Sequence, residues 1–153
     1  MATVDYRGAV GCLLWLANAT RPDISFAVSQ VSRFLENPGE AHWAAVKRIC
    51  RYLSGTKELA IVYTSGALHH NDVEGYYSYV QPGELPMIGY VDSDYATCKD
   101  TRRSVTGYAF YLAGGPVSWA SRKQPSVTLS TTEAEFMAAC AATQESLWLK
   151  MIL

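Results

Sequence analysis

The stretch GYVDSDYATCKD, residues 89 to 100, begins as a strand and runs straight into acid. Gly89, Tyr90 and Val91 suit an extended backbone, and Asp92 and Asp94 follow two residues apart. Aspartate is a poor strand former, and two like charges at period two fall on one face of a strand. A strand that tolerates both conditions points to a use for carboxylates at its end.

Outward from this stretch the second half of the chain reads as sheet and then helix. Met87 to Asp92 is the first predicted strand, and SVTGYAFYL, residues 104 to 112, is the second. Gly114-Gly115 is the expected turn, and PVSWAS, residues 116 to 121, opens the third strand. Short strands joined by glycine-bearing turns predict an antiparallel meander. A long helix from Thr131 to Leu153 closes the chain, with large apolar residues at Met137, Cys140, Leu147, Trp148 and Met151 and a small column at Ala138, Ala139 and Ala142. A helix apolar on more than one side is expected to be buried, with the alanines allowing close approach to a sheet.

That helix opens with STTEAEF. Ser130 with Glu133 makes a capping box, and Thr132 with Glu135 makes an overlapping one, so capping alone does not say which glutamate is free. Glu135 heads the column that continues through Ala139 and Ala142, the side expected to lie on the sheet. A strand-borne Asp92 and a helix-borne Glu135 would converge if the helix packs on the meander, and convergent carboxylates repel unless a cation lies between them. Hard oxygen donors favour Mg²⁺ or Mn²⁺. Two such ions, about 4 Å apart, activate water and stabilise the leaving oxygen of a phosphodiester. The pattern points towards nucleic-acid hydrolysis, although two carboxylates are few for two metals.

The first sixty residues have a helical texture. Val10, Leu13, Leu14 and Ala17 recur at helical spacing between Tyr6 and Asn18. In TRPDISFAVSQVSRFLENPGE, Pro22 suits a first helical turn, with Thr20 before it and Asp23 favourable at the positive dipole end. Ile24, Val28, Val31 and Leu35 form its stripe, and Asn37-Pro38-Gly39 stops it. A third helix, from about Glu40 to Leu53, is expected to bury Trp43, Val46, Cys50 and Leu53 and to end at a left-handed Gly55. Lys47, Arg48 and Arg51 make it basic, with Lys57 just beyond. Two readings stay open for these cations: a solvated face, or a face that tracks nucleic-acid phosphates. Residues 65 to 86, rich in Gly, Pro, Asn and Asp, read as a linker between a helical region over 1–64 and a domain over 87–153. His69-His70 lies in that linker without a third ligand at standard spacing and reads as loop.

Composition bounds these readings. The 153 residues are 49% hydrophobic and 18% charged, which suits a chain that buries a core and excludes a disordered one. A formal net charge of −1 offers no global basic field, so nucleic-acid binding would need a local patch. No apolar run reaches membrane-spanning length, and MATVDYRGAV lacks the regions of a signal peptide. Cys12, Cys50, Cys98 and Cys140 are widely spaced with no CxxC, and are expected to be reduced, buried thiols of an intracellular protein.

Taken together, YRGAVGCLLWLANATRPDISFAV, SRFLENPGEAHWAAVKRICRYLSGT, GYVDSDYATCKDTRRSVTGYAFYL, VSWASRKQPSVTLSTTEAEF and ESLWLK carry a resemblance that covers nearly every residue outside the linker. The chain resembles the C-terminal part of a copia-type retrotransposon Pol polyprotein. The resemblance implies an α+β chain: helices like the thumb side of a reverse transcriptase, then the start of a ribonuclease H-like fold with a three-stranded antiparallel meander and one long helix. It places the family's first-strand aspartate on Asp92 and its first-helix glutamate on Glu135 as metal ligands, with Asp94 as a neighbour. The implied substrate is an RNA–DNA hybrid and the implied cofactor Mg²⁺ or Mn²⁺. Lys47, Arg48, Arg51, Lys57, Arg102 and Arg103 are the candidate nucleic-acid contacts. The family's third carboxylate follows this helix, beyond Leu153, so the expectation is a fragment that is inactive alone. The alternative is a non-enzymatic remnant that binds nucleic acid or is inert. With no later strand, the edge of the meander is expected to invite self-association.

Overall fold

The computed structural model describes residues 4–63 and 87–153. The predicted linker and its His69-His70 pair lie outside the described residues. The chain divides into two compact units, Met1–Ile61 and Val62–Leu153. The described residues form four α-helices and a three-stranded antiparallel sheet, an α+β arrangement.

In the first unit, α1 (Tyr6–Ala19) is capped by Asp5, whose carboxylate accepts from the Gly8 amide at 2.8 Å. A Cβ on Gly8 would collide with that carboxylate, so the cap depends on the glycine. The expected second helix is divided: a 3₁₀ turn at Pro22–Ile24, α2 (Ser25–Val31), and a 3₁₀ turn at Ser32–Phe34. Thr20 closes α1 rather than capping this segment. The third helix, α3, spans Glu40–Gly55, and His42 Nδ1 accepts from the Gly39 amide at its start.

Val10, Leu13, Ala17, Ile24, Val28, Val31, Val46 and Ile49 bury one core around Tyr6. Tyr6 had no place in the apolar count, yet it ties three helices. Its hydroxyl donates to the Val31 carbonyl at 2.8 Å, its ring meets Trp43 edge-on at 6.4 Å, and burial raises its pKa.

Three expectations fail in this unit. Ile49, not Cys50, fills the core side of α3, because α2 packs on the flank of α3 that Ile49 occupies and leaves Cys50 exposed. Cys12 is exposed as well, and in the second unit Cys140 is exposed while Cys98 is buried. Gly55 ends α3 without a positive φ, and Thr56 follows it at φ −127°.

In the second unit, β1 (Ile88–Asp94), β2 (Val105–Leu112) and β3 (Gly115–Lys123) form the meander in that order. The tight turn is Ala113-Gly114 rather than Gly114-Gly115, with φ of 48° and 82°, the two positive values that a type I′ hairpin needs. Gly115 already pairs with Leu112 and lies against the Tyr63 ring, where a side chain would not fit. A register shift after Phe110 makes Val117 an extra residue in β3.

The last helix, α4 (Thr131–Ile152), packs on β1 and β2. Ala134, Ala138, Ala142 and Leu149 are its buried positions. Phe136, Leu147, Trp148 and Met151 are exposed, contrary to the expectation of a helix buried on several sides. Small residues let the backbone settle on the sheet, and that choice turns the large ones outward.

Candidate functional site

Asp92 lies within β1 as expected, and the strand runs two residues further, to Asp94. Its backbone pairs with Gly107, and its Oδ1 accepts from the Ser93 amide at 2.8 Å. Among the described residues β1 pairs with β2 alone, so it is an edge strand, and Gly89 to Asp92 are exposed.

The register says which way Asp92 points. Thr106 and Tyr108 line a cleft of about 320 Å³ with Met137, Ala141 and Glu145 of α4, so alternate residues of β2 face the helix. Directly paired residues of antiparallel strands share a face. Ser93, opposite Thr106, therefore points toward α4, and its Oγ is buried without a partner. Asp92, opposite Gly107, and Asp94, opposite Val105, leave the sheet on the other face.

Glu135 is reached from the helix. Glu133 is taken by capping: Ser130 Oγ accepts from its amide, and its own carboxylate accepts from the Leu129 amide. Glu135 is exposed and makes no hydrogen bond or ion pair among the described residues. It sits about 100° around the helix from buried Ala134. Met137, Ala141 and Gln144 flank the buried line toward β3, so Glu135 lies on the opposite flank, toward β1. Gln124 Nε2 donates to the Ala134 carbonyl at 2.9 Å and to Thr106 Oγ1 at 3.1 Å, which ties the first turn of α4 to the sheet.

The two carboxylates thus approach the β1 edge from opposite faces, rather than meeting between helix and sheet as expected. Their oxygen chemistry fits a hard divalent ion that takes its other ligands from water and phosphate. Among the described residues no group of three His, Cys, Asp or Glu could hold a metal ion, so the pair alone does not make a two-ion centre.

The six candidate cations divide four and two between the units. Lys47, Arg48 and Arg51 are exposed along α3, and Lys57 is exposed beyond it. Arg48 borders an apolar depression with Ile24, Val31, Ile49 and Tyr52. Arg102 is exposed and Arg103 half-buried in the turn before β2, where Arg102 adopts φ 54° and its amide donates to the Cys98 carbonyl at 2.7 Å.

Two polar groupings escaped the sequence reading. Arg21 is nearly buried and grips Asp23 through Nε at 3.0 Å and Nη2 at 2.7 Å, while also donating to Thr56. The Arg21 hydrogen bond holds the Asp23 carboxyl below its ordinary value, and Asp23 in turn raises the Tyr52 hydroxyl. The one available signal was an Arg and an Asp flanking Pro22. In the second unit, burial, with the Glu145 charge adding to it, raises the Tyr108 hydroxyl, and Glu145 also accepts from Ser118 Oγ.

Comparison with known proteins supplies the family. The chain is 46% identical over 154 residues to the retrovirus-related Pol polyprotein from transposon TNT 1-94 of Nicotiana tabacum, covering all of the chain and 10% of that protein. It is 40% identical over 149 residues to the corresponding polyprotein from transposon RE1 of Arabidopsis thaliana, covering 9% of it. It is also 41% identical over 149 residues to secreted RxLR effector protein 161 of Plasmopara viticola, covering 97% of the chain and 94% of that protein. The chain is related to a segment of retrotransposon Pol polyproteins. It spans about a tenth of those Pol polyproteins and nearly all of the effector. No family model matches it, and no solved structure does. Among the described residues no helix is long and apolar enough to cross a membrane.

Proposed function

We propose that this chain is the segment of a copia-type Pol polyprotein that joins the thumb side of a reverse transcriptase to a ribonuclease H domain. In this reading Asp92 and Glu135 are two of that domain's metal-binding carboxylates. The supporting observation is placement: among the described residues β1, which bears Asp92, is an edge of the sheet, and α4 turns Glu135 toward that strand. Mg²⁺ or Mn²⁺, when bound, would activate water and stabilise the leaving oxygen in the RNA strand of a hybrid.

The chain's own part is to hold the two carboxylates. Pairing with Gly107 fixes the backbone at Asp92, and the Ser93 amide orients its Oδ1. The Gln124 amide anchors Ala134 and so the start of the next residue, Glu135. Hydrolysis then requires a further carboxylate from a longer Pol product or a second chain.

The test uses a labelled RNA–DNA hybrid, Mg²⁺ and a Pol product that contains this segment. Asp92→Asn or Glu135→Gln is expected to slow cleavage at least about 100-fold, about 2.7 kcal/mol of barrier, with the unfolding midpoint unchanged. Undiminished cleavage by Asp92→Asn would overturn the reading. Cleavage by the isolated chain would remove the need for a third carboxylate. An intracellular setting goes with this proposal and with the free cysteines.

A non-enzymatic remnant is the second reading, favoured by the near-complete span of the effector. Lys47, Arg48, Arg51, Lys57, Arg102 and Arg103 would then be its nucleic-acid contacts, and neutralising three of them should flatten the salt dependence of binding. Under either reading the unpaired groups of β1 offer a strand to a second copy. A monomer by light scattering at all concentrations tested would remove that expectation.

A further inference from the structure

Beyond the six cations read from the sequence, β3 ends in two more. Lys123 pairs with Val105 and Arg122 with Thr106, and Arg102 and Arg103 immediately precede that start of β2. Asp94 pairs with the same Val105 at the end of β1. Four cations and the Asp92–Asp94 carboxylates therefore occupy one end of one sheet. Among the described residues the single ion pair is Arg21–Asp23, so none of these four is held in an ion pair, although Glu145 lines the same cleft as Arg122. Like charges side by side on a sheet repel one another, and a phosphate bound between them would relieve that repulsion.

The faces are informative. By register, Lys123 shares the face of Asp92 and Asp94, two strand spacings away, about 10 Å. Gly107 lies between Asp92 and Ser121 on that face, and a Cβ there would meet only the Asp92 carbonyl oxygen, at 3.9 Å. Among the described residues the surface between Asp92 and Ser121 is thus open at Gly107, whereas Val105, between Asp94 and Lys123, is buried. Arg122 falls on the other face by register, and both it and Lys123 border the cleft lined by Tyr108 and Glu145. The turn carrying Arg102 and Arg103 is pinned by two bonds with Cys98, from the Arg102 amide and to the Arg103 carbonyl.

We infer that Arg122 and Lys123, with Arg102 and Arg103, form a phosphate-contacting patch that holds the sugar–phosphate backbone of a nucleic acid across this end of the sheet. The inference rests on the hydrolase reading for its ligand, an RNA–DNA hybrid, and deepens it by naming how the hybrid is held beside Asp92. Each phosphate neutralised on a duplex contributes about 0.9 to the slope of log affinity against log salt.

The experiment measures hybrid binding by the full chain between low and moderate salt. Arg122→Gln with Lys123→Gln is expected to reduce the slope by about 1.8. Arg122→Lys with Lys123→Arg is expected to keep it, which separates charge from packing. An unchanged slope in the glutamine variant, or a lost slope in the charge-preserving one, overturns the patch. So does displacement of the hybrid by polyglutamate as effectively as by unlabelled DNA at equal charge, which would indicate an acidic protein instead. Hybrid cleavage by Asp92→Asn is a separate readout, so the patch and the hydrolase reading fail independently.

Discussion

The two units solve the burial problem in opposite ways. The helical unit buries branched aliphatic side chains completely, with Val10, Val28 and Val46 at 0% exposure, and closes around one tyrosine. The sheet unit buries Ala134, Ala138 and Ala142 under α4 and threads polar groups between the layers: Ser104, Thr106, Gln124 and Thr128. Ser104 Oγ bonds Thr128 Oγ1 at 2.9 Å and also accepts from the Ala96 amide at 3.0 Å. One core depends on volume, the other on close approach and satisfied hydrogen bonds. The carboxylates belong to the second kind, where bonds such as Gln124 to Ala134 set positions that volume alone would leave loose.

Substitutions can break this contrast. The largest effect is expected in the helical unit, where Leu13→Ala leaves a cavity and should cost about 3 kcal/mol by urea unfolding. A cost near zero would mean that α1 does not carry the core. In the sheet unit enlargement is the sensitive change. Ala138→Leu should destabilise by about 2 kcal/mol by forcing α4 off the sheet. Phe136→Ala, at a residue 72% exposed, should change stability by no more than about 0.5 kcal/mol. If those two results were reversed, the outer face of α4 would be the packed one.

The smallest effect concerns pH. Asp23 has its carboxyl lowered from 3.8 by the Arg21 hydrogen bond first, with Tyr52 adding to it. The ionised form therefore stabilises the folded state fully above about pH 3.8, and that contribution is lost as pH falls through the lower folded value. The stability gap between the wild type and Asp23→Asn should narrow below pH 3.8 in thermal unfolding. A gap that stays constant down to pH 2 would show that the pair is not what joins Pro22–Ile24 to the end of α3.

Much of this was legible along the chain because it is local. The spacing of Val10, Leu13 and Ala17 marks α1, and SVTGYAFYL marks β2. Ser130 and Glu133 do cap α4. The errors came where a neighbour in space decides. Cys50 and Ile49 are equally apolar in a list, and only the position of α2 against α3 selects Ile49. Met137, Leu147 and Trp148 look like core, yet Ala134 and Ala138 take the sheet. Arg21 offered no periodic signal for its bond to Thr56, thirty-five residues away.

For the candidate site, the sequence by itself determined the residue types and their elements: an aspartate in a strand, a glutamate in the first turns of a helix, and six cations. Only the tertiary structure decided their directions. Strand pairing has a period of two, so the partner Gly107 sends Asp92 to the face away from α4. A helix advances about 100° per residue, so burial of Ala134 sends Glu135 to the β1 flank. Both periods are written in the chain, but their phase is fixed only by the surface each element packs against.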